Sequence, residues 1–302
     1  MWLLNVTEIT MNGLLVALVT PMTDSGAVDY QALDRLVDWH LECKTDALVI
    51  LGTTGESATL SHHEKDVIIR RVIQRVDARI PVWVGTGTNS TQTTIELTTQ
   101  AAKLGAAGAL VVTPYYNKPT QEGLFQHFSM VASSTTLPIM LYNVPSRTAV
   151  DLQIETVSRL SRHDNIVAIK DATGDLSRLP QLLETGLNCL SGDDGTACEF
   201  ILKGGHGVVS VIGNTHPDSF GKMVRAALEG NDSLAQELNL SFATWYRALS
   251  IETNPIPVKW ILHKMNKIGI GIRLPLQPLS SSSEEVLCRE MVELLDLSPV
   301  VN

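Results

Sequence analysis

Eight short apolar runs, rich in β-branched residues, recur along the chain at 14–20, 47–52, 81–87, 108–114, 138–143, 166–172, 188–192 and 207–212. Each is too short and too continuously apolar for a strand with one face in water, so each reads as a buried parallel strand. Helical patterns lie between them. Asp29 precedes a stripe of Leu33, Leu36, Val37 and Leu41, and Ser61-His62-His63-Glu64 has capping-box spacing ahead of Val67, Ile68, Val72, Ile73 and Val76. Asp151 stands in the same relation to Ile154, Val157 and Leu160, while Gly105 and Gly186 fall where helices should end. Eight strand–helix alternations over roughly 220 residues are what a closed (β/α)8 TIM barrel requires. A doubly wound open sheet also alternates, but with fewer repeats and a glycine-rich phosphate turn after its first strand. That turn is missing here.

From about 233 onward no strand pattern appears. Three helices are expected, at 234–249, 257–268 and 283–297, separated by Asn254-Pro255-Ile256-Pro257 and by a loop over 275–283. The expected organisation is a barrel with the active site over 12–232 and a C-terminal helical appendage over 233–302. Neither separator is long enough to act as a free linker.

Composition narrows the function. Of 302 residues, 44% are apolar and 18% charged, which supports a large core. With 23 Lys and Arg against 32 Asp and Glu the formal charge is −9, so nucleic acid is not the expected partner. No apolar run approaches the roughly 18 residues that span a bilayer. Met1-Trp2-Leu3-Leu4 lacks the basic flank and length of a signal peptide. Cys43, Cys189, Cys198 and Cys288 are scattered without CxxC spacing, as in a reduced, cytoplasmic protein.

In a parallel barrel the chemistry sits where strands end. Lys170 follows Ile166-Val167-Ala168-Ile169, so an apolar strand delivers its amine to the barrel mouth. Poor solvation of the ammonium there favours a free amine, a nucleophile toward carbonyl carbon. The plainer reading is a lysine that snorkels to water or pairs with Asp171. Tyr142 closes the fifth run, where a phenol can shuttle protons or merely cap the core. Arg147 can clamp a carboxylate or stay a solvated loop charge. Gly52-Thr53-Thr54-Gly55 offers hydroxyls and backbone N–H groups to a small carboxylate, or is an ordinary turn. Metal chemistry finds no support: His62-His63-Glu64 is not a metal-ligating pattern, and Asp193-Asp194 reads as a turn and helix cap. Gly85-Thr86-Gly87 lacks the third glycine of a dinucleotide fingerprint.

The motifs taken together resemble the dihydrodipicolinate synthase family, within the pyruvate-dependent Schiff-base aldolases and lyases. They are Leu18-Val19-Thr20-Pro21-Met22, Gly52-Thr53-Thr54-Gly55-Glu56-Ser57, Val112-Thr113-Pro114-Tyr115-Tyr116-Asn117, Leu141-Tyr142-Asn143-Val144-Pro145-Ser146-Arg147-Thr148, Ile169-Lys170-Asp171 and Ser191-Gly192-Asp193-Asp194. The resemblance runs from about residue 13 to the C-terminal helices. The first ten or so residues precede the family's usual start, which leaves Met1 and Met11 both open as initiators.

The resemblance implies a lyase that condenses pyruvate with L-aspartate 4-semialdehyde to 4-hydroxy-tetrahydrodipicolinate, the first committed step of diaminopimelate and lysine biosynthesis. It makes Lys170 the imine-forming lysine, Tyr142 the proton donor and acceptor, and Thr53 and Tyr116 the rest of a proton relay, with Tyr116 supplied by a neighbouring subunit. Thr54 with Thr53 would hold the pyruvate carboxylate, Val209 and Gly192 would line its pocket, and Arg147 would bind the second substrate. A homotetramer built as a dimer of dimers is implied. No cofactor is expected, because the imine nitrogen is itself the electron sink. Ser57, Ala58, His62, Lys65, Asn89, Thr93 and Tyr115 match a lysine-binding regulatory cleft, with Thr93 in place of a glutamate and Lys65 in place of a histidine. Sister aldolases, acting on N-acetylneuraminate or on 2-keto-3-deoxy sugar acids, share the lysine and tyrosine; Thr53-Thr54, Tyr116 and Arg147 favour the synthase. A catalytically dead keto-acid-binding barrel is the remaining rival, against which the retained lysine and tyrosines stand.

Overall fold

The computed structural model describes residues 11–291. The question of Met1 against Met11 as initiator, the Met1–Leu4 segment and the end of the last expected helix all involve residues outside that span. Eight parallel strands close into one barrel in sequence order. They are β1 (Gly13–Ala17), β2 (Ala47–Ile50), β3 (Val82–Gly85), β4 (Gly108–Val112), β5 (Ile139–Asn143), β6 (Ile166–Asp171), β7 (Asn188–Ser191) and β8 (Gly207–Ser210). Closure is made by β1 against β8, with Gly13 opposite Gly207 and Val16 opposite Ser210. All eight expected runs are strands, and all but the fifth are shortened at their C-terminal ends where the chain turns into loops.

Period-two alternation divides the strand residues into two cores. Leu15, Ala17, Val49, Trp83, Leu110, Met140, Ala168, Leu190 and Val209 fill the barrel interior. Leu14, Val16, Leu48, Val84, Val111, Leu141, Ile169 and Val208 face outward and pack under the helices. Trp83 occupies the interior only because residue 108 is glycine: a Cβ there would stand 2.2 Å from the indole ring.

The helices are α1 (Tyr30–Glu42), α2 (His62–Val76), α3 (Thr91–Lys103), α4 (Gln121–Ser133), the short α5 (Pro145–Thr148), α6 (Ile154–Leu160), α7 (Leu179–Leu183), α8 (Asp194–Leu202) and α9 (Pro217–Leu228). Asp29 caps α1 through the Gln31 and Ala32 amides, and Ser61 with Glu64 forms the expected capping box of α2. Asp193 caps α8. The expected capping role of Asp151 does not hold. Gln153 is the capping residue of α6 and uses no side chain, while Asp151 is engaged by Arg178 and Asn143. Two tertiary partners outweigh a local cap worth only about 1 kcal/mol.

Beyond the barrel lie α10 (Asp232–Ser241), α11 (Ala243–Ser250), α12 (Ile256–Lys264) and α13 (Ser281–Met291). The helix expected at 234–249 is broken at Phe242, whose ring turns inward onto Phe220 of α9 at a centroid distance of 5.1 Å. No helix among the described residues is long and apolar enough to cross a membrane.

The C-terminal helices are pinned to the barrel by charge. Lys259 on α12 forms a buried ion pair with Glu56, whose second oxygen accepts from the Arg273 amide at 3.1 Å. The Arg273 guanidinium in turn pairs with Glu64 and donates to the Thr59 carbonyl at 2.8 Å. Burial pulls the Lys259 ammonium below the ordinary lysine range, against the opposing attraction of Glu56. Glu56 itself sits in the left-handed region at φ +53°, a strain of about 1–3 kcal/mol that the surrounding bonds must hold.

Lys259→Met should therefore leave an uncompensated buried carboxylate and destabilise the fold by about 3–5 kcal/mol, read from denaturant unfolding. Adding Glu56→Gln should recover most of the loss. A single variant as stable as the parent would refute the role given to the pair.

Candidate active site

Strand register places the two central residues. Tyr142 on β5 lies directly opposite Lys170 on β6, and Asn143 opposite Asp171. Alternation turns Tyr142 and Lys170 into the barrel, each less than a tenth exposed. Lys170 Nζ stands 4.4 Å from the Tyr142 ring centroid, within cation–π range. The lysine has room because residue 192 is glycine: a Cβ there would meet Lys170 Cε at 2.8 Å and the Ala172 Cβ at 2.6 Å.

The pair opens into a cavity of about 200 Å³ lined by Thr53, Thr54, Arg147, Gly192, Val211 and Asn254, among others. The turn that carries the threonines is held from two sides. Thr20 Oγ1 donates to the Gly55 carbonyl at 2.7 Å, and Asn254 Nδ2 donates to Thr54 Oγ1 at 2.9 Å. Thr54 is buried and Thr53 exposed at the mouth. With its oxygen already accepting, the Thr54 hydroxyl has its proton to give to an anion. Arg147 sits exposed at the rim; its Nη2 donates to the Asn254 carbonyl at 3.2 Å and approaches Thr253 Oγ1 at 3.4 Å. Among the described residues Nη2 is the only guanidinium nitrogen of Arg147 that is engaged. The site therefore offers an amine and a phenol at its floor, hydroxyls on one wall and a guanidinium at its lip, which suits a small anionic carbonyl compound.

A second cavity of about 370 Å³ adjoins the first and shares Thr53, Tyr142, Arg147 and Asn254 with it. Ser57, Ala58, Lys65 and Tyr115 line it. His62, Asn89 and Thr93 do not. His62 is exposed on α2, the Asn89 carbonyl accepts from Asn117, and the Thr93 hydroxyl bonds Ser90 at 3.1 Å. Burial holds the Lys65 ammonium below its usual range. Val209 lies one layer beneath the active-site cavity, in the barrel core, and Val211 takes the wall position instead.

Tyr116 stands apart from both cavities of its own barrel. It is 89% exposed and is held at φ +75°, a conformation that bulky side chains seldom adopt. Asn254 is the site residue that the sequence pattern misses. Asn254-Pro255-Ile256-Pro257 reads only as a separator between helices, and its two contacts with the site, on Thr54 and Arg147, lie 200 and 107 positions away. Its Oδ1 is buried without a protein partner.

Residues 10–293 match the model of the dihydrodipicolinate synthetase family. The 4-hydroxy-tetrahydrodipicolinate synthase of Coxiella burnetii is 55% identical over 269 residues, covering 89% of this chain and 93% of that one. That of Saccharophagus degradans is 52% identical over 275 residues, covering 90% and 94%. Among solved structures, the chloride-inhibited dihydrodipicolinate synthase from Acinetobacter baumannii, complexed with pyruvate, superposes with a TM-score of 0.92 at 47% identity, covering 93% of this chain and 98% of that one.

Filling the space kept open at residue 192 provides a direct test. Gly192→Ala should displace the Lys170 side chain and slow borohydride capture of pyruvate by about 100-fold, since misplacement of about 1 Å costs that much. The fold should survive, as followed by thermal unfolding. Capture at the wild-type rate would show that this contact does not set the lysine.

Proposed function

The chain belongs to the dihydrodipicolinate synthetase family, and we propose that it condenses pyruvate with L-aspartate 4-semialdehyde through an imine on Lys170. The observation that carries this reading is the buried Tyr142–Lys170 pair, opposite in register, at the floor of a small polar cavity. Lys170 Nζ attacks the ketone carbon of pyruvate. Tyr142 supplies the proton with which the carbinolamine loses water, and the resulting imine gives up a methyl proton to become an enamine. The enamine carbon then attacks the aldehyde of the second substrate. The product is cyclic, so the amino group of that substrate finally replaces Lys170 and frees it. Thr53 and Thr54 hold the pyruvate carboxylate, Arg147 that of the semialdehyde, and Gly192 and Val211 shape the pocket above Val209.

Tyr116 completes the relay from a neighbouring subunit. A large aromatic side chain that is 89% exposed and outside its own barrel's cavities supports that placement. The same reading includes a homotetramer built as a dimer of dimers, a cytoplasmic setting and a division into a catalytic barrel over 12–232 and a helical appendage over 233–302.

The test is chemical. Wild-type protein treated with pyruvate and borohydride should gain a pyruvate-sized adduct on Lys170, and Lys170→Ala should not. Tyr116→Phe should still form the adduct but turn over severely more slowly. Mixed with Lys170→Ala under conditions of subunit exchange, it should regain activity; no recovery would remove Tyr116 from the partner's site. A coupled assay that prefers sugar aldehydes over aspartate semialdehyde would overturn the substrate assignment.

Regulation by lysine should be weak or absent. Thr93 offers no carboxylate for the effector's ammonium, and Lys65 adds a cation beside a dicationic, monoanionic ligand. Glu96, the nearest candidate replacement, is exposed and accepts from Gln92 at 2.9 Å. At about 1–2 kcal/mol for each change, affinity falls by roughly 30- to 1000-fold. Half-inhibition below millimolar L-lysine would contradict this.

A further inference from the structure

Behind the Tyr142–Lys170 pair, on the opposite face of the same two strands, lies a closed polar clasp that touches neither cavity. Asn143 and Asp171, each one position beyond a member of the pair, point out of the barrel into the layer under the helices. Asn143 is fully buried, and the Asp171 side chain is 3% exposed. Arg178, on the single helical turn that follows β6, reaches between them. Its Nε donates to Asp171 Oδ2 at 2.8 Å, its Nη1 to Asp151 Oδ2 at 3.0 Å and its Nη2 to the Leu152 carbonyl at 2.9 Å. Asp151 Oδ1 accepts from Asn143 Nδ2 at 2.7 Å, and Asn143 Oδ1 accepts from the Leu152 amide at 3.0 Å. The remaining Asp171 oxygen takes the Thr173 amide at 3.0 Å. The ring Asn143–Asp151–Arg178–Asp171 thus joins the ends of β5 and β6.

Four ladder pairs, from Met140–Ala168 to Asn143–Asp171, run without a break through this alignment. The β5–β6 register shifts between Ile139 and Met140, low in the barrel, so regular pairing is interrupted three residues below Tyr142. At the mouth the clasp adds side-chain bonds to the backbone pairing, beyond the point where that pairing shifts. A planar guanidinium with three engaged nitrogens fixes direction as well as distance, which a lysine cannot reproduce. We propose that Arg178 is a positioning residue for the reaction: by clamping Asp171 to Asp151 and Asn143 on the outer face, it sets the approach of Lys170 to Tyr142 on the inner face. The proposal rests on the assignment of Lys170 as the imine-forming lysine.

The experiment compares full-length wild type, Arg178→Ala, Arg178→Lys and Asp151→Asn. Each is measured for thermal midpoint, pyruvate KM, kcat and the pH profile of borohydride-trapped imine formation. In Arg178→Ala, held well below its midpoint, imine formation and kcat should fall by about 30- to 100-fold. Pyruvate KM should stay within about 3-fold, because the carboxylate-binding turn is untouched. The pH profile should be displaced, because the lysine and phenol no longer share one geometry. Arg178→Lys should restore the thermal midpoint more fully than it restores kcat. Folded Arg178 variants with wild-type kcat and pH profile would overturn the proposal. If Arg178→Ala does not fold, Asp151→Asn decides: it cuts one arm of the clasp at a half-exposed residue, and a wild-type kcat there overturns the proposal too. Mapping the adduct in wild type separates the two readings. An adduct on a lysine other than 170 ends the site assignment itself, whereas an adduct on Lys170 that forms equally fast in every variant ends only the role of Arg178.

Discussion

Barrel closure is the constraint from which the site follows. Once β1 pairs with β8, every strand has two neighbours and no edge remains, so register can no longer slip by one residue without turning a whole side-chain set inside out. Alternation then fixes what faces inward. On β6 it sends Ala168 and Lys170 to the interior and Ile169 and Asp171 outward; on β5 it sends Met140 and Tyr142 inward and Leu141 and Asn143 outward. A charged amine in an apolar barrel would be costly at mid-depth. At the last inward position of its strand it meets a phenol, hydroxyls and a cavity instead. Lys170 owes its surroundings to where it falls in the alternation as much as to its identity.

Much of this was legible in the sequence because the relevant information is local. A run of apolar residues announces a buried strand, and the residue that interrupts it at the C-terminal end is the one placed at the mouth. Lys170, Tyr142 and the Thr53-Thr54 turn are of this kind. Asp151 shows where local reading fails. Its spacing to Ile154 is right for a cap, yet its carboxylate is satisfied by Arg178, 27 positions away, and by Asn143. Nothing in a one-dimensional pattern ranks a tertiary partner against a backbone amide. Phe242 fails in the same way: the helical periodicity continues through it, but its ring packs inward on Phe220 and the chain turns there.

The contribution of the C-terminal helices was the least legible part. Asn254 and Lys259 sit in a stretch whose pattern predicts only a turn and a helix. Both nevertheless act on the Gly52–Ser57 turn, Asn254 through the Thr54 hydroxyl and Lys259 through Glu56. A buried lysine is uncommon unless paired, and its partner, about 200 residues earlier, is another polar residue in an apparent loop. Only the folded chain shows that the turn is braced from behind. The helical unit thus lends Asn254 to the cavity wall, although the residues given chemical roles all lie before 233.

Depth gives the proposed site an order of events. The amine lies at the floor of a cavity of about 200 Å³ with the buried Thr54 on its wall, whereas Arg147 lies exposed at its rim. A keto acid bound first can reach Lys170 and place its carboxylate on the threonines with the mouth still open. A larger aldehyde bound first, with its carboxylate on Arg147, would stand between the ketone and the amine. The geometry therefore favours imine formation before the second substrate arrives. It also gives a reason for the two proposed carboxylate receptors to differ in kind. A buried hydroxyl that accepts from Asn254 carries no net charge to desolvate, so it suits the wall beside a lysine that must be neutral to react. A guanidinium keeps its charge in water at little cost and, at the rim, attracts the second anion from solution.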